Sequence, residues 1–175
     1  MAYTTIDDPS KYHQTMLYTG NGASRSLTND GNSDLQPDWI WVKRRDDVGN
    51  NNVIDSTRGV TKLIFTQSDD DEETLSDRVT SFDSDGFSTG NEDANINTAT
   101  YVAWQWKANG GTRTTNTESG NNPGGGYQAN TTAGFSIVDY TGTGAVGTMA
   151  HGLGAVPKMI IIKTRAVGNW NVYHK

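Results

Sequence analysis

With 175 residues, a formal net charge of −6 and no cysteine, the chain is long enough for one domain or a little more, and disulfide and thiolate chemistry are excluded. The acidic balance makes nucleic acid and anionic membranes poor partners, and no run approaches the ~20 apolar residues of a membrane span. Only 33% of residues are hydrophobic while Gly numbers 20, an all-β composition in which five Trp and seven Tyr supply a core.

The N-terminus, Met1-Ala2-Tyr3-Thr4-Thr5-Ile6-Asp7-Asp8, lacks the cationic and apolar regions of a signal peptide, so synthesis in a cytoplasm without secretion is expected. Residues 1–15 read as an N-terminal assembly arm, with Asp7-Asp8-Pro9-Ser10 as a turn or helix-start signal. Met16-Leu17-Tyr18 opens the first strand. Gly20-Asn21-Gly22 makes a turn, Arg25-Ser26-Leu27 a weak strand, and residues 28–34 a polar loop. Pro37-Asp38-Trp39-Ile40-Trp41-Val42-Lys43 is the strand around which the rest is organised. Trp39 and Trp41 share one face, Ile40 and Val42 the other, and two apolar faces imply cover on both sides.

Val53-Ile54-Asp55-Ser56 comes next as a strand, and residues 58–65 continue with a bend at Gly59. Asp69-Asp70-Asp71-Glu72-Glu73 reads as a solvated loop. Five consecutive acids do not converge on a calcium ion unless the backbone folds round, and EF-hand spacing is missing. Residues 81–88 form a hairpin with positive φ at Gly86, flanked by Phe82 and Phe87. In residues 100–107, Val102, Trp104 and Trp106 are expected to face the core against Trp39 or Trp41; a row of Trp stacked on sugar rings is the alternative.

Residues 109–132 are a Gly-, Thr- and Asn-rich linker. Beyond it the earlier pattern returns. Tyr18-Thr19-Gly20 recurs as Tyr140-Thr141-Gly142, and the organising strand recurs as Pro157-Lys158-Met159-Ile160-Ile161-Ile162-Lys163. The spacing, roughly 120 residues, is a domain length rather than the ~20–50 residues of a solenoid repeat. The expected organisation is therefore the arm (1–15), a first β-sandwich (16–108), the linker (109–132) and a partial second copy (133–175). The second copy matches only as far as Trp170-Asn171-Val172-Tyr173 and has no equivalent of residues 57–107. Half a sandwich leaves an open edge and an uncovered face at Ile160 and Ile162, to be closed by further chain or by a neighbouring subunit.

Chemistry is sparse. His13, His151 and His174 lack paired-ligand spacing, no Gly-x-Ser-x-Gly elbow is present, and Gly142-Thr143-Gly144 with Gly147 has no following helix. No catalytic, cofactor-binding or metal-binding residue is expected, and no enzyme activity.

The series Tyr18-Thr19-Gly20-Asn21-Gly22, residues 37–43, Asp55-Ser56-Thr57-Arg58-Gly59, residues 81–87 and Tyr101-Val102-Ala103-Trp104-Gln105-Trp106-Lys107 resembles repeat domains of bacteriophage virion proteins of the marine cyanophage and tail-fibre type. The resemblance covers about residues 3–107 and 133–174. It implies a jelly-roll, concanavalin-like or SPRY-like β-sandwich and a structural role in a tail-fibre or other tail or capsid appendage. The implied partners are other virion proteins and further copies, as a homo-oligomer with a trimer favoured. Residues 46–52, 69–73 and 91–97 are the loops offered for contact. A carbohydrate-binding adhesin recognising a host surface glycan is the alternative. A glycan-degrading enzyme is weaker still, because its paired carboxylates should face one another across a groove and the acids here sit in turns.

Overall fold

The computed structural model describes residues 6–175, and among them the regular structure is β-strand apart from a 3-10 turn at Pro9–Lys11. The first unit contains β1 (His13–Thr19), β2 (Arg25–Thr28), β3 (Trp39–Arg44), β4 (Asn51–Asp55), β5 (Lys62–Phe65), β6 (Glu73–Thr74), β7 (Val79–Asp83), β8 (Gly86–Thr89) and β9 (Thr100–Trp106). All pairings are antiparallel. Six strands run in the order β1-β9-β3-β4-β5-β6, and a smaller sheet runs β2-β8-β7.

The two sheets close on one core. Met16, Ile40, Val42, Ile54, Leu63, Phe65, Tyr101 and Ala103 come from the large sheet, and Leu27, Val79 and Phe87 from the small one. The chain is thus all-β and this unit is a sandwich. The Asp85-Gly86 hairpin forms as its sequence demands. Gly86 has φ +107, and a Cβ there would lie 2.0 Å from the Leu27 carbonyl oxygen, so both the turn and the neighbouring strand require glycine. Phe82 pairs with Phe87 across it.

The alternation of β9 is real, but its faces are reversed from expectation. Tyr101, Ala103 and Gln105 point into the core and are fully buried, whereas Trp104 and Trp106 lie on the outer face. Trp39 and Trp41 join them there, half-buried, while Ile40 and Val42 fill the interior. Phe87, Leu63 and Phe65 fill the middle of the inner volume, where β9 contributes Ala103, with Tyr101 and Gln105 on either side of it along the strand. The amide nitrogen of the buried Gln105 donates to Asn29 Oδ1 at 2.6 Å, while its Oε1 has no hydrogen-bond donor among the described residues.

The expected arm does not stand apart. His13–Thr19 is strand β1, paired along its length with β9, and Asp8 accepts from Ser10 and from Ser33 Oγ at 2.6 Å. Residues 1–5 of that expectation lie outside the described residues. The expected linker also carries strands, β10 (Thr114–Asn116) and β11 (Gly125–Asn130), which form a sheet with β12 (Phe135–Tyr140) in the order β10-β11-β12. Two of its glycines serve close approach: a Cβ on Gly125 would lie 2.0 Å from the Asp139 carbonyl oxygen, and one on Gly126 2.5 Å from the Thr114 carbonyl oxygen. The chain ends in a two-stranded hairpin of β13 (Met159–Lys163) and β14 (Trp170–His174).

Two truncations separate the inner from the outer face. Phe87→Ala removes a fully buried ring and should cost about 3–5 kcal/mol. Trp104→Ala, at a half-buried site, should cost clearly less. Urea unfolding of both variants checks the order.

Candidate functional site

The first unit is tied to the β10-β11-β12 sheet by a buried polar junction. The Asp38 carboxylate, fully buried, accepts Ser56 Oγ at 2.7 Å and the backbone N–H groups of Ala108, Gly110 and Gly111 at 2.8, 2.8 and 2.7 Å. Those donors offset the removal of a carboxylate from water. Ser56 and Thr57 in turn accept the Gln128 amide nitrogen of β11 at 2.9 and 2.7 Å. The Asp55-Ser56-Thr57-Arg58-Gly59 motif therefore binds the second unit's sheet to the first.

Arg58 extends the junction. Its guanidinium meets Asp55 at 2.5 Å and Glu72 at 3.0 Å, with all three side chains nearly buried. Glu72 also receives Arg165 at 2.6 Å, from the turn between β13 and β14. Burial works to raise the Glu72 pKa, but hydrogen bonds from Arg165 and Arg58, with their charges, outweigh it and hold the carboxyl below the ordinary glutamate range. The acidic run is thus not simply a solvated loop, because one of its five acids is an interior anchor. Three further bonds dock the same turn. The Gly168 N–H donates to the Asp69 carbonyl at 2.8 Å, Lys163 Nζ to the Asp70 carbonyl at 2.8 Å, and the Trp170 indole N–H to the Phe65 carbonyl at 2.9 Å.

The outer-face tryptophans form a cluster. Trp39 meets Trp106 at 4.7 Å and 75°, Trp41 meets Trp104 at 5.1 Å and 51°, and Trp39 meets Trp41 at 6.3 Å and 79°. His13 packs edge-on to Trp106 at 4.5 Å, and Phe135 of β12 stacks over Trp106 at 6.2 Å. Edge-to-face packing commits ring faces to neighbouring rings. Burial lowers the His13 pKa. A cleft bounded by Pro9, Tyr12, His13, Trp106, Gly134 and Phe135 closes the end of the row.

While its turn is anchored, the hairpin itself is bare. Ile160 and Ile162 are 41% and 42% exposed, against 0% for Ile40 and Val42 at the matching positions of β3. On the other face Met159 and Ile161 are each 53% exposed.

The other sequence candidates are scattered. His13 lies on the outer face, His151 accepts from the Leu153 N–H at 3.3 Å, and His174 is exposed at the end of β14. Among the described residues no cluster of three His, Asp or Glu gathers to hold a metal. Of the contact loops, residues 91–97 hold the buried Asn95, whose amide nitrogen donates to Asn21 Oδ1 and to the carbonyls of Ala23 and Gly90 at 3.0, 2.6 and 2.9 Å. In residues 46–52, Asp46 pairs with Arg44 at 2.9 Å and β4 has already begun at Asn51. Sequence reasoning assigns no role to Asp38, Arg58, Gln128 or Arg165, and takes Glu72 only as part of a solvated contact loop. The one signal that points to them is the Asp-Ser-Thr-Arg-Gly motif, whose partners are too distant in sequence to be read.

A family model described as Domain of unknown function (DUF7483) matches residues 8–175. The chain belongs to this family. The match runs without a break through both units and the junction between them. No curated protein matches the chain, and no solved structure does. Among the described residues no helix is long and apolar enough to cross a membrane.

Arg58→Ala leaves the buried Asp55 carboxylate without its cation and Glu72 with Arg165 alone, and should cost on the order of 3–5 kcal/mol. The depressed Glu72 pKa sets a pH dependence. Its stabilisation is fully present above the ordinary value of 4.5 and is lost as pH falls through the lower folded value. The Trp170 indole N–H resonance should shift over that acidic window in the wild type, and the shift should be absent in Glu72→Gln.

Proposed function

We propose that this chain is a non-enzymatic structural protein of a phage virion appendage, a tail fibre or other tail or capsid projection, working by assembly and display. The observation that carries this reading is the β13–β14 hairpin, which repeats the buried β3–β4 hairpin yet leaves apolar side chains open on both faces. Full burial of such a side chain is worth about 1.5–3 kcal/mol, so a partner that covers the set offsets much of the cost of association. The turn bonds that fix the hairpin to the first unit present it in one orientation, as an assembly surface requires. The phage assignment itself rests on the motif resemblance, and the tandem units joined at a polar junction suit a stiff, extended projection. The edge-to-face tryptophans favour a packing role for the aromatic row over that of a sugar-stacking platform.

The double variant Ile160→Asp/Ile162→Asp should leave the first sandwich folded, with the wild-type unfolding midpoint for its Phe87 core, while the protein disappears from assembled particles. Quantitative mass spectrometry of purified virions reads the occupancy. Normal occupancy of the variant overturns the assembly reading.

A further inference from the structure

Among the described residues β12 and β13 each have one unpaired edge, and the register of hydrogen bonds says which edge it is. In the first unit β9 lies between β1 and β3 and pairs with both. The Arg45 N–H bonds the Thr100 carbonyl at 2.8 Å, which by antiparallel alternation turns the backbone groups of Trp39, Trp41 and Lys43 toward β9. Those of Ile40 and Val42 then serve β4. The Lys107 N–H bonds the Tyr12 carbonyl at 2.9 Å, which likewise turns Gln14, Met16 and Tyr18 toward β9.

The same alternation applies to the second unit. The Lys175 N–H bonds the Lys158 carbonyl at 2.9 Å, so Ile160 and Ile162 serve β14, and Met159 and Ile161 turn their backbone groups to the other edge of β13. The Thr141 N–H bonds the Gly124 carbonyl at 3.1 Å, so Phe135, Ile137 and Asp139 serve β11. Ser136, Val138 and Tyr140 turn theirs to the other edge of β12. Through the Tyr-Thr-Gly and Pro repeats these positions match Gln14, Met16 and Tyr18, and Trp39 and Trp41. Both free edges are thus the ones that meet β9 in the first unit, and among the described residues no strand pairs with either. Side chains agree: Val138 and Tyr140, matching Met16 and Tyr18, are 37% and 48% exposed.

We infer that β12 and β13 form a docking slot for a single strand of β9's kind, bound antiparallel to both and donated by a separate partner polypeptide. The occupant is an extended segment of about seven residues in which alternate positions are small or hydrogen-bonding, as Tyr101, Ala103 and Gln105 are, and face Ile160, Ile162 and Val138. A second folded copy cannot lend its own β9, because β1 and β3 already hold both edges of that strand. The inference rests on the assembly reading and names the partner of that surface.

The test adds a synthetic peptide with the sequence of residues 100–107 to the full chain and follows amide exchange by NMR. Saturating peptide should slow exchange at Met159, Ile161 and Val138 at least tenfold, while a scrambled peptide of the same composition should not. Ile161→Pro removes an edge N–H that β14 does not use, and should abolish the protection with the hairpin intact. No slowing, or equal slowing by the scrambled peptide, overturns the inference. So does protection of Met159 and Ile161 without peptide in a species that sedimentation shows to be a dimer, since a second copy then fills the edge. The assembly reading survives that last result and falls only to the particle-occupancy experiment.

Discussion

The two units depend on the Asp38 carboxylate. It sits at the head of β3, out of water, and holds Ser56 just after β4 together with three backbone N–H groups just after β9. Three neighbouring strands are thereby locked at the same end. Gly110 and Gly111 can reach the carboxylate because they adopt φ +60 and +81, which turn two N–H groups inward. The direction in which the chain leaves the first sandwich is therefore set by a buried anion. Ser56 passes the constraint on, since the same hydroxyl that donates to Asp38 accepts from Gln128. At the matching position of the second unit stands Lys158, so the second hairpin has no equivalent nest and is held by its turn instead.

Much of the strand layout is legible in the sequence because local rules and tertiary outcome agree. Gly86, the bend at Gly59 with φ +110, and the alternation of β3 and β9 all follow from residues close in sequence. What alternation does not carry is which face is inside. Both faces of β3 are apolar and both faces of β9 carry large aromatic rings, and ranking the faces by size puts the tryptophans in the core. The interior instead takes the branched Ile40 and Val42 from β3, and Tyr101, Ala103 and Gln105 from β9, around the Phe87 ring that arrives from the other sheet. Glu72 is hidden for a related reason. Within an acidic run it resembles its neighbours, and only Arg58 and Arg165, brought from different parts of the chain, distinguish it.

The glycine-rich stretch before β12 misleads differently. Its composition suits a flexible connection, yet backbone crowding at Gly125 and Gly126 calls for the same residue. Composition cannot separate a glycine needed for freedom from one needed for closeness. The outer aromatic cluster also belongs to this joint. Phe135 stacks on Trp106 while Gln128 reaches Thr57, so β11 and β12 meet the first sandwich through one apolar and one polar contact. That pairing gives the joint both adhesion and register.

The contrast between the two hairpins separates what the sequence makes from what its surroundings complete. β3 and β13 share an antiparallel partner strand and a pairing register, and in each the last paired residue of the shared motif is a lysine. Local sequence is therefore sufficient to form the ribbon, and burial is a separate property conferred by neighbours. Edge strands that are meant to remain free carry devices against pairing: an inward charge, a proline, a bulge. The free edge of β13 presents Met159 and Ile161 and has none of these along its apolar span. Lys163 is the charge nearest to guarding it, but its ammonium is drawn to the carbonyls of Asp70 and Thr164. That unguarded edge lies beside a turn fixed to the first unit by an ion pair, by two backbone hydrogen bonds, and by the Lys163 and Trp170 side chains, so the strand is held in place while its edge stays open.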